Sequence, residues 1–164
     1  MNLKFTLAYD GSLFQGSQKQ PNGMTVEDKL LKAFKKINIE TNIVLSGRTD
    51  KEVHATGQVF NCVVPDFWQD FFKLKDILNK NLPSSIKILR IQKVKDDFHS
   101  RFHAKKRVYR YLITTKPTTP FNNKFITHIK NVDEELLQKA IKEFIGVYDF
   151  KYFHKTGSDK ELTK

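Results

Sequence analysis

Arg48, Thr49, Asp50 and His54 share the stretch VLSGRTDKEVHATGQVF, residues 44–60, and their types could do chemistry together. A carboxylate beside a guanidinium stays ionised at neutral pH, because a nearby positive charge favours the charged form. It can then act as base or nucleophile. An imidazole close by can carry a proton. The plainer reading makes Asp50 the organiser of an Asx turn with Arg48 solvated, since aspartate readily bonds its own backbone. Against that stands the length of the interval between two apolar, strand-like pieces. An ordinary hairpin needs only about two to five connecting residues. So long a loop is expected to present side chains rather than simply reverse the chain.

A second cluster is DDFHSRFHAKKRVYRY, residues 96–111. From His99 onward it carries Arg101, Lys105, Lys106, Arg107 and Arg110 with no acid, interleaved with Phe102, Tyr109 and Tyr111. Cations bind phosphates and flat rings stack on bases, the pairing that holds single-stranded or unstacked RNA. As a strand, this segment would put Tyr109 and Tyr111 on one face and Val108, Arg110 and Leu112 on the other. The bland alternative is a strand with core tyrosines and a solvated basic edge. His99 and His103 have a spacing found in zinc helices, but zinc needs three or four ligands and no third is evident. GSLFQGSQ, residues 11–18, has the glycines of a phosphate loop without its lysine.

The 164 residues carry 29 Lys and Arg against 18 Asp and Glu, a net charge of +11 with a pI near 9.7. Such an excess points to a polyanionic partner, nucleic acid before membrane, since no helix reads as both basic and amphipathic with Trp at its border. Cys62 is the single cysteine, which excludes an internal disulfide and any multi-cysteine zinc site. No stretch approaches the roughly 18 apolar residues of a membrane span, and no signal-peptide core opens the sequence. The expectation is a soluble, cytoplasmic protein.

The elements that would position these residues follow from periodicity. LKFTLAY alternates as a half-buried strand. Thr25 and Asp28 form a capping box before Val26, Leu30, Leu31, Phe34 and Ile37 at helical spacing. NIVLS and QVFNCVV read as strands on either side of the long loop. Asp66 is placed to cap a helix with the stripe Phe67, Phe71, Leu74 and Leu78, stopped near Pro83. IKILRIQKV and RVYRYLITT read as strands. Asp133 opens a last helix, with Gly146 suited to its C-terminal cap. The order β-α-β-β-α-β predicts an α+β, ferredoxin-like split βαβ fold, an antiparallel sheet with helices on one face. The expected division is a catalytic domain over residues 1–106 and the start of a second, similar α/β domain over 107–164. The tail KTGSDKELTK reads as a loop leading onward.

Taken in order, YDGSLFQGSQKQ, SGRTDKEVHATGQV, DDFHSRFHAKKRVYRYLI and DFKYFHKTGSD closely resemble blocks of the TruA family of tRNA pseudouridine synthases, over essentially the whole chain. The resemblance implies isomerisation of uridine to pseudouridine in the anticodon stem-loop of tRNA, by a homodimer, with no cofactor and no metal. It implies that Asp50 is the nucleophile, leaving open whether it attacks the uracil ring or the ribose. Arg48 would help displace and hold the flipped nucleotide, and Tyr109 would stack on the target base. Thr49, His54, Arg101, Lys105, Lys106, Arg107 and Arg110 are the expected RNA contacts. Three departures stand out. Lys51 and Glu52 replace the usual alanine-glycine, so that glycine's backbone freedom is lost beside Asp50. Ser17 stands where an aromatic residue is common. Family members also run longer, with a second domain that walls the cleft, so the 164 residues alone are expected to bind RNA with little or no turnover.

Overall fold

A computed structural model describes residues 1–21 and 23–153 of the chain, so the whole of the tail KTGSDKELTK lies outside the described residues. Two compact units emerge, Met1–Arg110 and the chain from Tyr111 on. The first contains β1 (Asn2–Tyr9), a 3-10 turn at Gly11–Leu13, α1 (Val26–Lys35), β2 (Val44–Leu45), β3 (Ala55–Val63), α2 (Phe71–Asn81) and β4 (Ile86–Lys93). The sheet order is β2-β3-β1-β4 and every pairing is antiparallel. That is the ferredoxin-like arrangement the sequence predicts.

Alternation decides which face is covered. Leu3, Phe5, Leu7 and Tyr9 of β1 are buried, as are Phe60 and Cys62 of β3 and Ile86, Ile88 and Ile91 of β4. Val26, Leu30, Ala33 and Phe34 of α1, and Leu74 and Leu78 of α2, join them in one core cluster. Phe5 and Phe60 face each other across the β1–β3 ladder, stacked with centroids 4.5 Å apart, and both meet Phe34 edge-on. Such pairs add about 0.5–1.5 kcal/mol beyond the area they bury. Burial pushes the Cys62 thiol up to about 12, so no thiolate chemistry resides there.

The caps show where sequence reading succeeds and where it slips. Thr25 and Asp28 form the predicted capping box on α1. The second helix, however, starts four residues later than Asp66 would place it. Asp70 caps α2, accepting from the Lys73 N–H at 2.9 Å, while Asp66 takes the Met1 ammonium at 2.6 Å. Two aspartates four residues apart both satisfy the local signal, and the contact with Met1 decides between them. The helix ends at Asn81, because Leu82 precedes Pro83 and takes an extended conformation.

On the other face of the sheet, Asn2 and Asn61 are buried polar groups that tie down the segment after β4. Asn2 Nδ2 donates to the carbonyls of Phe98 at 2.9 Å and Lys95 at 3.2 Å. Asn61 Oδ1 accepts from the Ser100 N–H at 2.9 Å and from its hydroxyl at 2.8 Å. Residues 95–100 are thereby strapped across the strands.

In the second unit, β5 (Ile113–Thr114) pairs in parallel with β6 (Thr127–His128), and α3 spans Glu134–Lys142 with Asp133 as its cap. The helix closes at Glu143, short of Gly146, whose φ is +151°. The strand expected over RVYRYLITT is corrected: only Ile113 and Thr114 belong to a ladder. A strand exists by its hydrogen-bonded neighbours, and residues 107–111 have no backbone bond to the described strands, Leu112 giving only its carbonyl to the Thr127 N–H at 2.8 Å. The division of Tyr109 and Tyr111 from Arg110 by strand alternation therefore has no basis.

Candidate active site

The long loop between β2 and β3 is braced from beneath by the turn that follows β1. Thr49 is the keystone. Its N–H donates to Ser17 Oγ at 2.8 Å and its carbonyl accepts from the Ser17 N–H at 3.0 Å. Its hydroxyl lies 2.7 Å from the Tyr9 hydroxyl. Tyr9 reaches it because the β1–β3 register shifts between Leu7 and Tyr9, a bulge that re-aims the strand end beside the site. Two glycines allow backbone to lie on backbone. A Cβ at Gly11 would fall 2.1 Å from the Val53 carbonyl oxygen, and one at Gly16, where φ is +98°, 2.9 Å from that of Thr49. The glycines of GSLFQGSQ thus serve close approach to this loop.

The bracing leaves two side chains outside. Arg48 and Asp50 are exposed while Thr49 between them is half-buried. The turn Asp50–Val53 closes through the Asp50 main-chain carbonyl, which accepts from the Val53 N–H at 3.3 Å, and among the described residues no hydrogen bond from a backbone N–H to the Asp50 carboxyl makes an Asx turn. Among the described residues neither Arg48 nor Asp50 forms an ion pair. The guanidinium and the carboxylate are presented together without being bonded to each other. Glu52, at φ +66°, occupies the left-handed third position of this turn and pairs with Lys51 at 3.5 Å.

His54 faces inward. Its Nδ1 accepts from the Gly11 N–H at 3.1 Å and lies 3.2 Å from Asp10 Oδ1, joining the two loops. Arg107 is also committed: its Nε and one terminal nitrogen donate to the Ser46 carbonyl at 3.1 and 2.7 Å, and the latter also to that of Arg101 at 3.0 Å. Gln58 completes the loop's first residues by donating to the Gly47 carbonyl at 2.9 Å. Arg101, Lys105, Lys106, Arg110 and Tyr109 are exposed. No bond or ring contact joins Tyr109 to Asp50, but it is two residues from Arg107, and Arg107 is clasped to Ser46, two residues before Arg48. His99 and His103 spend ring nitrogens on the backbone N–H groups of Phe102 and His99, each at 3.3 Å. No group of three metal-capable side chains occurs among the described residues.

Tyr9, Asp10, Gly11, Gly16, Ser17, Ser46 and Gln58 are the site residues that sequence reasoning missed. The spacing of Gly11 and Gly16 carried a signal of close backbone approach. Ser17 stands out in the sequence only as a departure from the resembling family, with no sign that it supports the loop.

Fold and loop together define a ferredoxin-like α+β domain built to display a carboxylate and a guanidinium from a rigidly supported loop. The profile of a family described as tRNA pseudouridine synthase matches residues 6–103, which contain this loop and everything that braces it except Arg107. The chain is 38% identical over 157 residues to tRNA pseudouridine synthase A of Wolinella succinogenes, covering 96% of this chain and 62% of the relative. It is 40% identical over 154 residues to the protein of that name from Helicobacter pylori strain HPAG1, with 94% and 62% covered. For that of Streptococcus agalactiae serotype III the values are 36% over 162 residues, with 96% and 62% covered. The chain belongs to the tRNA pseudouridine synthase family, and it spans about 62% of the length of these relatives.

Proposed function

We propose that the loop around Asp50 carries out isomerisation of uridine to pseudouridine in tRNA, with the anticodon stem-loop as target and a homodimer as the working form. The observation that carries this reading is the alternation at 48–50, in which Thr49 is bonded at every polar group while Arg48 and Asp50 face solvent. The reaction breaks the bond between ribose C1′ and uracil N1, turns the base, and joins C1′ to carbon 5, whose proton leaves to solvent while N1 takes one up. Oxidation state is unchanged, so a carboxylate nucleophile, a cation and a stacking ring suffice. A uridine in a stem must first leave its stack at a cost of a few kcal/mol. Arg48 inserted in its place and Tyr109 under the base would offset part of that, stacking being worth about 1–3 kcal/mol per base. Cytoplasmic location accords with this substrate, and no described helix is long and apolar enough to cross a membrane.

Tritium at uracil carbon 5 of unmodified tRNA tests the reading, because isomerisation releases it to water. The full-length protein should release the label, and Asp50→Ala should reduce release at least a thousandfold with unchanged thermal stability. Undiminished release by that variant refutes the assignment. A second reading, RNA binding without turnover by these 164 residues alone, is favoured by the lack of any described partner for the Arg48 and Asp50 side chains. Label release by the 164-residue chain at the full-length rate would dismiss it.

A further inference from the structure

We propose that Ser17 is a positioning residue for Asp50, aiming its carboxylate by clamping the Thr49 peptide from both sides, with Tyr9 fixing the Thr49 side chain. This rests on Asp50 being the nucleophile.

Ser17 is wholly buried, although it is a small polar residue. Burying a hydroxyl is costly unless it is bonded. Here the Ser17 hydroxyl accepts from the Thr49 N–H at 2.8 Å and lies 3.4 Å from the Thr49 carbonyl oxygen, to which it donates. The Ser17 N–H donates to that same carbonyl at 3.0 Å. One residue therefore holds both peptide planes that flank the Thr49 Cα, and the second of those planes contains the Asp50 nitrogen. Fixing that plane fixes where the Asp50 Cα stands, and the Asp50–Val53 turn, closed by the Asp50 carbonyl at 3.3 Å, restrains which way its side chain leaves.

The clamp is itself anchored. The Gly16 carbonyl accepts from the Val26 N–H at 3.2 Å and the Ser17 carbonyl from the Glu27 N–H at 3.0 Å, both in the first turn of α1. The capping box of Thr25 and Asp28 secures that turn, and Val26, Leu30 and Phe34 bury the helix in the core. A line of support thus runs from the core through α1, Ser17 and Thr49 to Asp50. Supporting residues of this kind govern rate, because a nucleophile misplaced by about 1 Å can cost a hundredfold. Tyr9 contributes the remaining restraint: with its ring buried at the end of β1, only its hydroxyl reaches Thr49.

The test uses the full-length protein, tritium release from carbon-5-labelled tRNA, and rates expressed per molecule competent to bind tRNA. Ser17→Ala should lower kcat ten- to a hundredfold while KM for tRNA stays within twofold. Exchange of the Thr49 amide hydrogen should quicken while that of the β1 amides does not. Because the alanine variant could fail to fold, the second arm removes single oxygens at the shell's edge. Tyr9→Phe and Thr49→Val should each lower kcat about three- to tenfold, and the double variant should be no worse than the worse single one, since both delete the same bond. An unchanged kcat in Ser17→Ala, or effects of Tyr9→Phe and Thr49→Val that multiply, would overturn the proposal. Retained turnover in Asp50→Ala would instead remove the nucleophile reading on which it depends, so the two failures are told apart.

Discussion

The loop at residues 46–54, where Arg48 and Lys51 balance Asp50 and Glu52, and the basic segment at 101–110, with five Lys and Arg and no acid, lie in the same unit and are built oppositely. In the loop, Ser46, Gly47, Thr49 and His54 are each bonded to a neighbouring element. In the basic segment, Arg107 alone has its side chain clasped to the loop, while Lys105, Lys106, Tyr109 and Arg110 are exposed and outside every described ladder. Chemistry at a carboxylate needs geometry fixed before the substrate arrives, so bonding is spent on it. Capturing a polyanion needs cations that can adapt to phosphates, and bonding them to the protein would waste them. Sequence alone cannot distinguish the two kinds of arginine, since Arg107 and Arg110 lie three residues apart in the same run.

The contrast is broken most severely by removing the adaptable cations. Lys105→Ala, Lys106→Ala and Arg110→Ala combined should weaken tRNA binding and flatten its salt dependence. Each single-strand phosphate left without its cation lowers the log–log slope by about 0.7, so three lower it by about 2. Thermal stability should not move, because none of the three has a described partner. An unaltered salt slope would show that this segment does not meet the RNA backbone.

Arg107→Ala sharpens the same comparison from the other side. It strips charge-assisted hydrogen bonds from the Ser46 and Arg101 carbonyls, at the very start of the site loop. Such bonds are worth about 1.5–3 kcal/mol when buried. Half-burial cuts this to about 1–2 kcal/mol, seen as a lowered Tm and faster amide exchange through residues 101–107. Arg110→Ala should show neither change. If the two arginine variants behave alike, the division into clasped and adaptable cations fails.

Much of this architecture was legible in the sequence because it depends on patterns that local physics enforces. Alternation in LKFTLAY and the capping box Thr25–Asp28 gave the strand, the helix and the ferredoxin-like order without any knowledge of contacts. The start of α2 was not legible, because Asp66 and Asp70 are equivalent as caps and only the Met1 ammonium separates them. Residues 107–111 have the aromatic, β-branched composition of a strand, but composition cannot supply a ladder partner. At the site, the length of the loop identified Arg48 and Asp50 as displayed. It could not reveal that Ser17, some thirty residues earlier, holds the peptide between them, since that pairing exists only once β1 and β3 are side by side.

The smallest expected effect concerns the one place where the site loop is strained. Glu52 holds φ +66° at the third position of the Asp50–Val53 turn, a backbone conformation that favours glycine. A side chain in the left-handed region costs about 1–2 kcal/mol relative to glycine. Glycine returns part of that by freeing the unfolded chain, at about 0.5–1 kcal/mol. The exposed pair with Lys51 at 3.5 Å adds little on the other side. Glu52→Gly should therefore stabilise the protein by no more than about 1 kcal/mol, raising Tm by a few degrees. Glu52→Ala keeps the Cβ and the strain, so it should give no such rise. Equal Tm values for the two variants would mean that the turn relaxes at no cost. The support from Ser17 and Tyr9 would then have to stop at Thr49 instead of extending through Asp50 into the turn.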